Sequence, residues 1–125
     1  MSKIVFYKLF FFGSVFVLIV LSLYPGNLIG IILYNDQSVF SGSNNMHHFL
    51  SYLFTSTFGF LAYLKKRFLS LLLFLLILGF FLEVLHLWIP NRSFEFLDLI
   101  ANFSGVLLSF LLFVILQKYF FKNYK

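Results

Sequence analysis

At 125 residues, 62% of them hydrophobic and only 10% charged, the chain has too little polar material to clothe a water-facing surface, where about 25% charged residues is usual. That apolar excess excludes an intrinsically disordered chain, and the absence of cysteine excludes a disulfide scaffold, a thiolate metal centre and a Cys nucleophile. The net charge of +5 must then be explained by where the few charged residues lie, because charge inside a membrane is expensive.

Four segments reach the roughly 20 mostly apolar residues that a membrane crossing needs. The first runs from about Phe6 to Tyr24 and stops at Pro25-Gly26, and the second runs from about Asn45 to Leu64, before Lys65-Lys66-Arg67. The third covers about Phe68 to Ile89 and halts at Pro90-Asn91, and the fourth covers about Phe94 to Leu116, closed by Gln117-Lys118. Pro, Gly or basic clusters punctuate each end. The first segment follows Lys3 and Lys8 as a signal peptide would, but no small-x-small cleavage site follows it, so an uncleaved anchor is expected. The fold expected is all-α, an integral membrane four-helix bundle, with residues 1–125 forming a single domain without internal repeats.

Short cytoplasmic loops carry the excess of Lys and Arg. Lys3 precedes the first span and Lys8 lies in its first turn, Lys65, Lys66 and Arg67 join the second to the third, and Lys118, Lys122 and Lys125 follow the fourth, so eight of the nine basic residues fall on one side. Both termini are therefore expected in the cytoplasm of a multi-pass protein of the cytoplasmic membrane. Topology and attraction to anionic inner-leaflet lipids account for the positive charge, and nucleic acid is not needed as a partner. Arg92 is the exception, placed outside in the short loop after Pro90. The longer outer loop from Pro25 to Asn44 has Asp36 as its only charge, and its pattern leaves open an interfacial segment or a pair of turns.

Residues at i, i+4 and i+7 share a helical face, and the rare polar and small residues line up in this way. The second span carries His48, Tyr52, Thr55, Gly59 and Ala62, the third Gly79, Glu83 and His86, and the fourth Asp98, Asn102, Gly105 and Ser109. Such stripes let helices approach closely and hydrogen-bond across the interface, so they are expected to face one another. The first span, with only Gly13, Ser14 and Ser22, shows no comparable stripe and is expected at the edge. At about 1.5 Å per residue, His48, Glu83, His86, Asp98 and Asn102 all lie about 5 to 12 Å from the outer ends of their helices. Arg92 and Ser93 sit above them, with His47, Trp88 and Glu95 nearby.

Each of these residues has two readings. Glu83 is either a site residue or a neutral, hydrogen-bonded piece of interhelical glue. Asp98 is either part of a site or a helix cap. Arg92 suits a carboxylate or phosphate ligand, or an internal pair with Asp98. Trp88 and Tyr24 read as interfacial belt residues. Glu83-x-x-His86 has the i, i+3 spacing of carboxylate-bridged metal proteins, and with His48 and Asp98 it supplies four ligands, but those proteins need the motif twice. No metal is expected on that count, and no cofactor, since there is no nucleotide loop, cofactor fingerprint or HExxH. Ser93 beside acids and histidines can be drawn as a nucleophile, but no spacing singles it out.

The run His48-Phe49-Leu50-Ser51-Tyr52, followed by Glu83, Pro90, Arg92, Ser93, Asp98, Asn102 and Gly105, resembles the VanZ-like family of small bacterial membrane proteins, some of which are linked to resistance to the glycopeptide teicoplanin. Its pattern is an Asp-Lys pair shortly before His-Phe-x-x-Tyr, then Glu-x-x-Gln, Pro-Gly-Arg-Ser and Asp-x-x-x-Asn-x-x-Gly. The chain departs from it in having Asn44-Asn45 for the charged pair, His86 for Gln and Asn91 for Gly. Asn still tolerates a left-handed turn. The resemblance implies an envelope role touching glycopeptide sensitivity. The expected function is engagement of an envelope lipid or lipid-linked cell-wall precursor by His48, Tyr52, Glu83, His86, Arg92, Ser93, Asp98 and Asn102. One alternative is a membrane-embedded enzyme acting on such a substrate, with Glu83, Asp98 or His48 as catalytic candidates, and another is a structural or assembly subunit.

Overall fold

A computed structural model describes residues 2–25, 28–35, 45–63 and 67–120. Gly26, Asp36, Asn44, Leu64, Lys65, Lys66, Lys122 and Lys125, all used in the topology or family arguments, lie outside the described residues. The elements are α1 (Lys3–Leu23), α2 (Leu28–Tyr34), α3 (Asn45–Ala62), α4 (Phe68–Leu85), a 3-10 turn (His86–Trp88) and α5 (Phe96–Phe120). No strand occurs among the described residues.

Local chemistry explains the boundaries. α1 begins earlier than its apolar run because the Ser2 hydroxyl accepts from the Val5 amide at 3.3 Å and caps the helix. The short α2 occupies part of the outer loop whose pattern left its conformation open. α4 stops at Leu85 and tightens into the 3-10 turn because Pro90 disfavours helical geometry at Ile89, which is extended at φ −95° and ψ 127°. The chain then reverses at Asn91, which adopts φ +60°, and the Arg92 amide closes the turn on the Ile89 carbonyl at 3.2 Å. α5 starts at Phe96 rather than near Phe94, because residues 92–95 complete the reversal and the Glu95 carbonyl receives the first helical bonds, from Asp98 and Leu99. A left-handed residue with a branched Cβ costs about 1 to 2 kcal/mol. Asn91→Val is therefore expected to lose about that much stability, while Asn91→Gly loses none, as thermal unfolding in detergent would report.

Side-chain pairings give the helix directions. His48 meets Asp98 and Asn102 while Thr57 meets Ser109 at 3.0 Å, so α3 and α5 run parallel. Glu83, near the end of α4, bonds the Glu95 amide ahead of α5, so these two are antiparallel. His86 reaches Ser22, which makes α1 parallel to α4, and Phe10 stacks on Phe58 of the oppositely directed α3. Four long helices therefore alternate in direction and pack together through α3. The end of α1, the start of α3, the end of α4 and the start of α5 gather at one pole. Among the described residues Glu83, Glu95, Asp98 and Arg92 lie towards that pole, and Lys3, Lys8, Arg67 and Lys118 lie at the other.

α1, α4 with its 3-10 turn, and α5 are each long and apolar enough to cross a membrane. α3 has the 18-residue length of α4 but dilutes its apolarity with the polar stripe. Outward faces stay apolar, with Phe16, Ile77 and Leu111 among the exposed side chains. Helices apolar on the outside as well as the inside make this a membrane protein. The basic half of the interior is a dry aromatic layer in which Phe60 stacks on Phe113 and Phe68 on Phe110, with ring centroids 5.4 and 6.1 Å apart. The other half holds the polar residues. Apart from half-buried His48, every member of the three polar and small-residue stripes is buried.

Candidate functional site

The end of α4 delivers the most deeply buried carboxylate among the described residues: Glu83 is 1% exposed. Its Oε1 accepts from the Glu95 amide at 3.0 Å and lies 3.3 Å from His86 Nδ1. His86 follows one turn later because α4 tightens into its 3-10 turn there, and its Nε2 lies 3.2 Å from the Ser22 carbonyl at the end of α1. A carbonyl only accepts, so Nε2 carries a hydrogen.

A parallel arrangement joins α3 to α5. His48 Nδ1 faces Asn102 Oδ1 at 3.0 Å, and its Nε2 lies 3.4 Å from Asp98 Oδ2. The close crossing of α3 and α5 at Gly105 makes this contact attainable, since a Cβ on Gly105 would stand 2.4 Å from the Phe49 carbonyl oxygen and 2.9 Å from the Leu53 nitrogen. The two histidine–carboxylate pairs adjoin: one ligand atom each of His48, Glu83 and Asp98 lies within 4.8 Å of the other two. Tyr52, one turn beyond His48, lays its ring over Gly79, one turn before Glu83. Its buried hydroxyl and Asp98 Oδ1 have no hydrogen-bond partner. Asp98 is thus turned toward His48 rather than used up as a cap on the α5 amides.

Arg92, expected to meet a carboxylate or phosphate ligand or to pair with Asp98, bonds backbone instead of Asp98. Its Nε donates to the Tyr24 carbonyl at 3.2 Å and its Nη2 to the Leu21 carbonyl at 2.8 Å, so it caps the C-terminal end of α1. Partial burial draws its guanidinium below the ordinary arginine pKa, against the pull of the Glu83 and Asp98 carboxylates. Ser93 stands on the exposed loop and donates to Glu95 Oε1 at 3.3 Å. Trp88 projects outward. The structure therefore gathers His48, Glu83, Asp98, Asn102, His86 and Tyr52, sets Arg92 at the rim, and leaves Ser93 outside.

The sequence gives no sign of the backbone partners. Ser22, Leu21 and Tyr24 contribute carbonyls and Glu95 an amide, which leave no side-chain signature. The one available signal is that α1 ends at Pro25, which leaves its last carbonyls without helical donors.

Residues 2–117 match the family model described as VanZ/LLP1, a span that includes α1 as well as the motif-bearing helices. No curated protein and no solved structure matches the chain.

Proposed function

Because this chain belongs to the VanZ/LLP1 family, we propose that it is a four-span protein of the cytoplasmic membrane whose cluster of His48, Glu83 and Asp98 engages an envelope lipid or lipid-linked cell-wall precursor at the outer leaflet. The observation carrying this reading is the meeting of those three groups, from three helices, within 4.8 Å in an otherwise apolar protein. Ionisable groups are costly there and are retained where they act on a substrate or ion. Tyr52, Asn102 and His86 shape the pocket, and Arg92 at its rim meets the phosphate or carboxylate of an approaching headgroup. An effect on glycopeptide sensitivity, teicoplanin in particular, follows from occupying such a precursor.

The basic pole faces the cytoplasm in this reading, with both termini inside. The chain has no cysteine, which makes the orientation easy to test. Ser93→Cys is expected to react with a membrane-impermeant maleimide in intact cells, and Lys118→Cys only after permeabilisation; the reverse pattern contradicts the orientation.

A second reading, catalysis on the same substrate with Glu83 or Asp98 as general base, is favoured by a histidine standing beside each carboxylate, 3.4 Å away for Asp98 and 3.3 Å for Glu83. The test of the site is the set His48→Ala, Glu83→Gln, Arg92→Ala and Asp98→Asn, scored for membrane abundance and teicoplanin sensitivity in one host. Variants that accumulate normally are expected to shift sensitivity toward that of cells lacking the protein. Normal abundance with unchanged sensitivity in all four removes the site reading.

A further inference from the structure

The geometry points to a divalent-cation site, of the zinc class, held by His48 Nε2, an Asp98 carboxylate oxygen and a Glu83 carboxylate oxygen; it rests on the same cluster as the proposed function and gives that cluster a cofactor.

Spacing is the first argument. His48 Nε2 and Asp98 Oδ2 are 3.4 Å apart, long for a charge-assisted hydrogen bond, which closes to about 2.7 to 2.9 Å. Two ligands at about 2.1 Å from a tetrahedral zinc ion stand about 3.4 Å apart. The Glu83 oxygen completes a triangle no wider than 4.8 Å, a span that a small inward shift brings to bonding distance.

Support around these ligands is the second argument. Histidines that bind metals donate their other ring hydrogen to an oxygen acceptor, which fixes ring orientation and tautomer. Asn102 Oδ1 does this for His48 Nδ1, leaving Nε2 directed at the carboxylates. Glu83 is anchored in the same manner through Oε1, by the Glu95 amide and His86.

Unpaired groups are the third. Asp98 Oδ1 and the Tyr52 hydroxyl are buried without partners, a cost of about 1 to 3 kcal/mol each in a closed hydrogen-bond network. Asp98 is 7% exposed and Tyr52 2%, so bulk water does not relieve them. A cation at the carboxylates, with an open coordination position for a water or phosphate oxygen, turns both into ligand-facing groups. Two carboxylates also offset the charge of a divalent ion, as burial in an apolar bundle requires. One imidazole with carboxylates suits zinc better than magnesium, which prefers oxygen ligands and keeps its waters.

The test uses the full chain, purified in detergent without a polyhistidine tag, stripped with chelator and dialysed against micromolar Zn2+. Wild type and Ser104→Ala, whose hydroxyl bonds its own helix at Ile100, are expected to retain one zinc per chain by elemental mass spectrometry. His48→Ala and Asp98→Asn are expected to bind at least tenfold more weakly while eluting as monodisperse, helical protein. Cobalt(II) added to the wild type is expected to give the visible absorption of a tetrahedral site, a readout independent of variant folding. Wild type without stoichiometric zinc, or zinc unchanged in both folded variants, overturns the metal site. Loss of metal binding and loss of the proposed function are separable. Altered glycopeptide sensitivity in Glu83→Gln with no zinc in the wild type refutes the cation and leaves the lipid site. Stoichiometric zinc with unchanged sensitivity upholds the cation and refutes the lipid site.

Discussion

Glu83→Ala is expected to destabilise the protein by about 3 to 5 kcal/mol, the range found when one partner of a buried charge pair is removed. The side chain is almost wholly inside, and its Oε1 satisfies the Glu95 amide that precedes α5 as well as His86 Nδ1. Truncation leaves the Glu95 amide without its acceptor, and His86 remains tied to the Ser22 carbonyl with no carboxylate beside its Nδ1. Glu83→Gln keeps the shape and one carbonyl oxygen for the Glu95 amide, so its cost is expected to be about 1 to 2 kcal/mol. Thermal unfolding of the two variants in the same detergent separates these cases. Similar, small losses in both would mean that Glu83 is not holding α4, α5 and the 3-10 turn together.

The second large effect is expected at Gly105. A methyl group there meets backbone, the Phe49 carbonyl at 2.4 Å and the Leu53 nitrogen at 2.9 Å, and backbone does not rotate away as a side chain does. α3 and α5 must part by about 1 Å to restore ordinary contact in a close-packed interior. Gly105→Ala is expected to cost about 3 kcal/mol, at the upper end of the range for overpacking. Because Asn102 and Asp98 lie one and two turns away on α5, the same separation stretches their contacts with His48, so the site suffers along with stability. Gly79→Ala is the contrast, since its new methyl meets the edge of the Tyr52 ring at 3.2 Å, a side chain rather than backbone. Gly13→Ala is the control, with nothing within 4 Å. A Gly105→Ala protein as stable as Gly13→Ala would show that the helices do not cross backbone to backbone.

Much of this was legible in the sequence because membrane burial is unforgiving. Apolar runs bounded by Pro90 or basic residues marked the long helices, and the i, i+3, i+4 spacing of His48, Tyr52, Thr55 and Gly59 marked a face that the structure buries almost entirely. Asn91 in place of Gly was readable as a left-handed turn, and its φ is +60°. Two things were not legible. Arg92 looked like a carboxylate partner because charge pairs with charge in a side-chain reading, whereas its donors go to carbonyls that Pro25 left exposed at the end of α1. α1 itself carries no polar stripe, yet its terminal backbone receives both Arg92 and His86. Partnerships with backbone have no residue-type signature, so periodicity cannot find them.

The buried cluster is proposed to meet an envelope lipid. The most direct measurement places a photo-crosslinking amino acid at Ser93, on the exposed loop above the cluster, and identifies by mass what is captured in living cells. The expected adduct is with a phosphate-bearing lipid, and it falls several-fold when Glu83→Gln is added at normal protein abundance. Adducts only with other proteins, or a lipid adduct indifferent to Glu83→Gln, would contradict it.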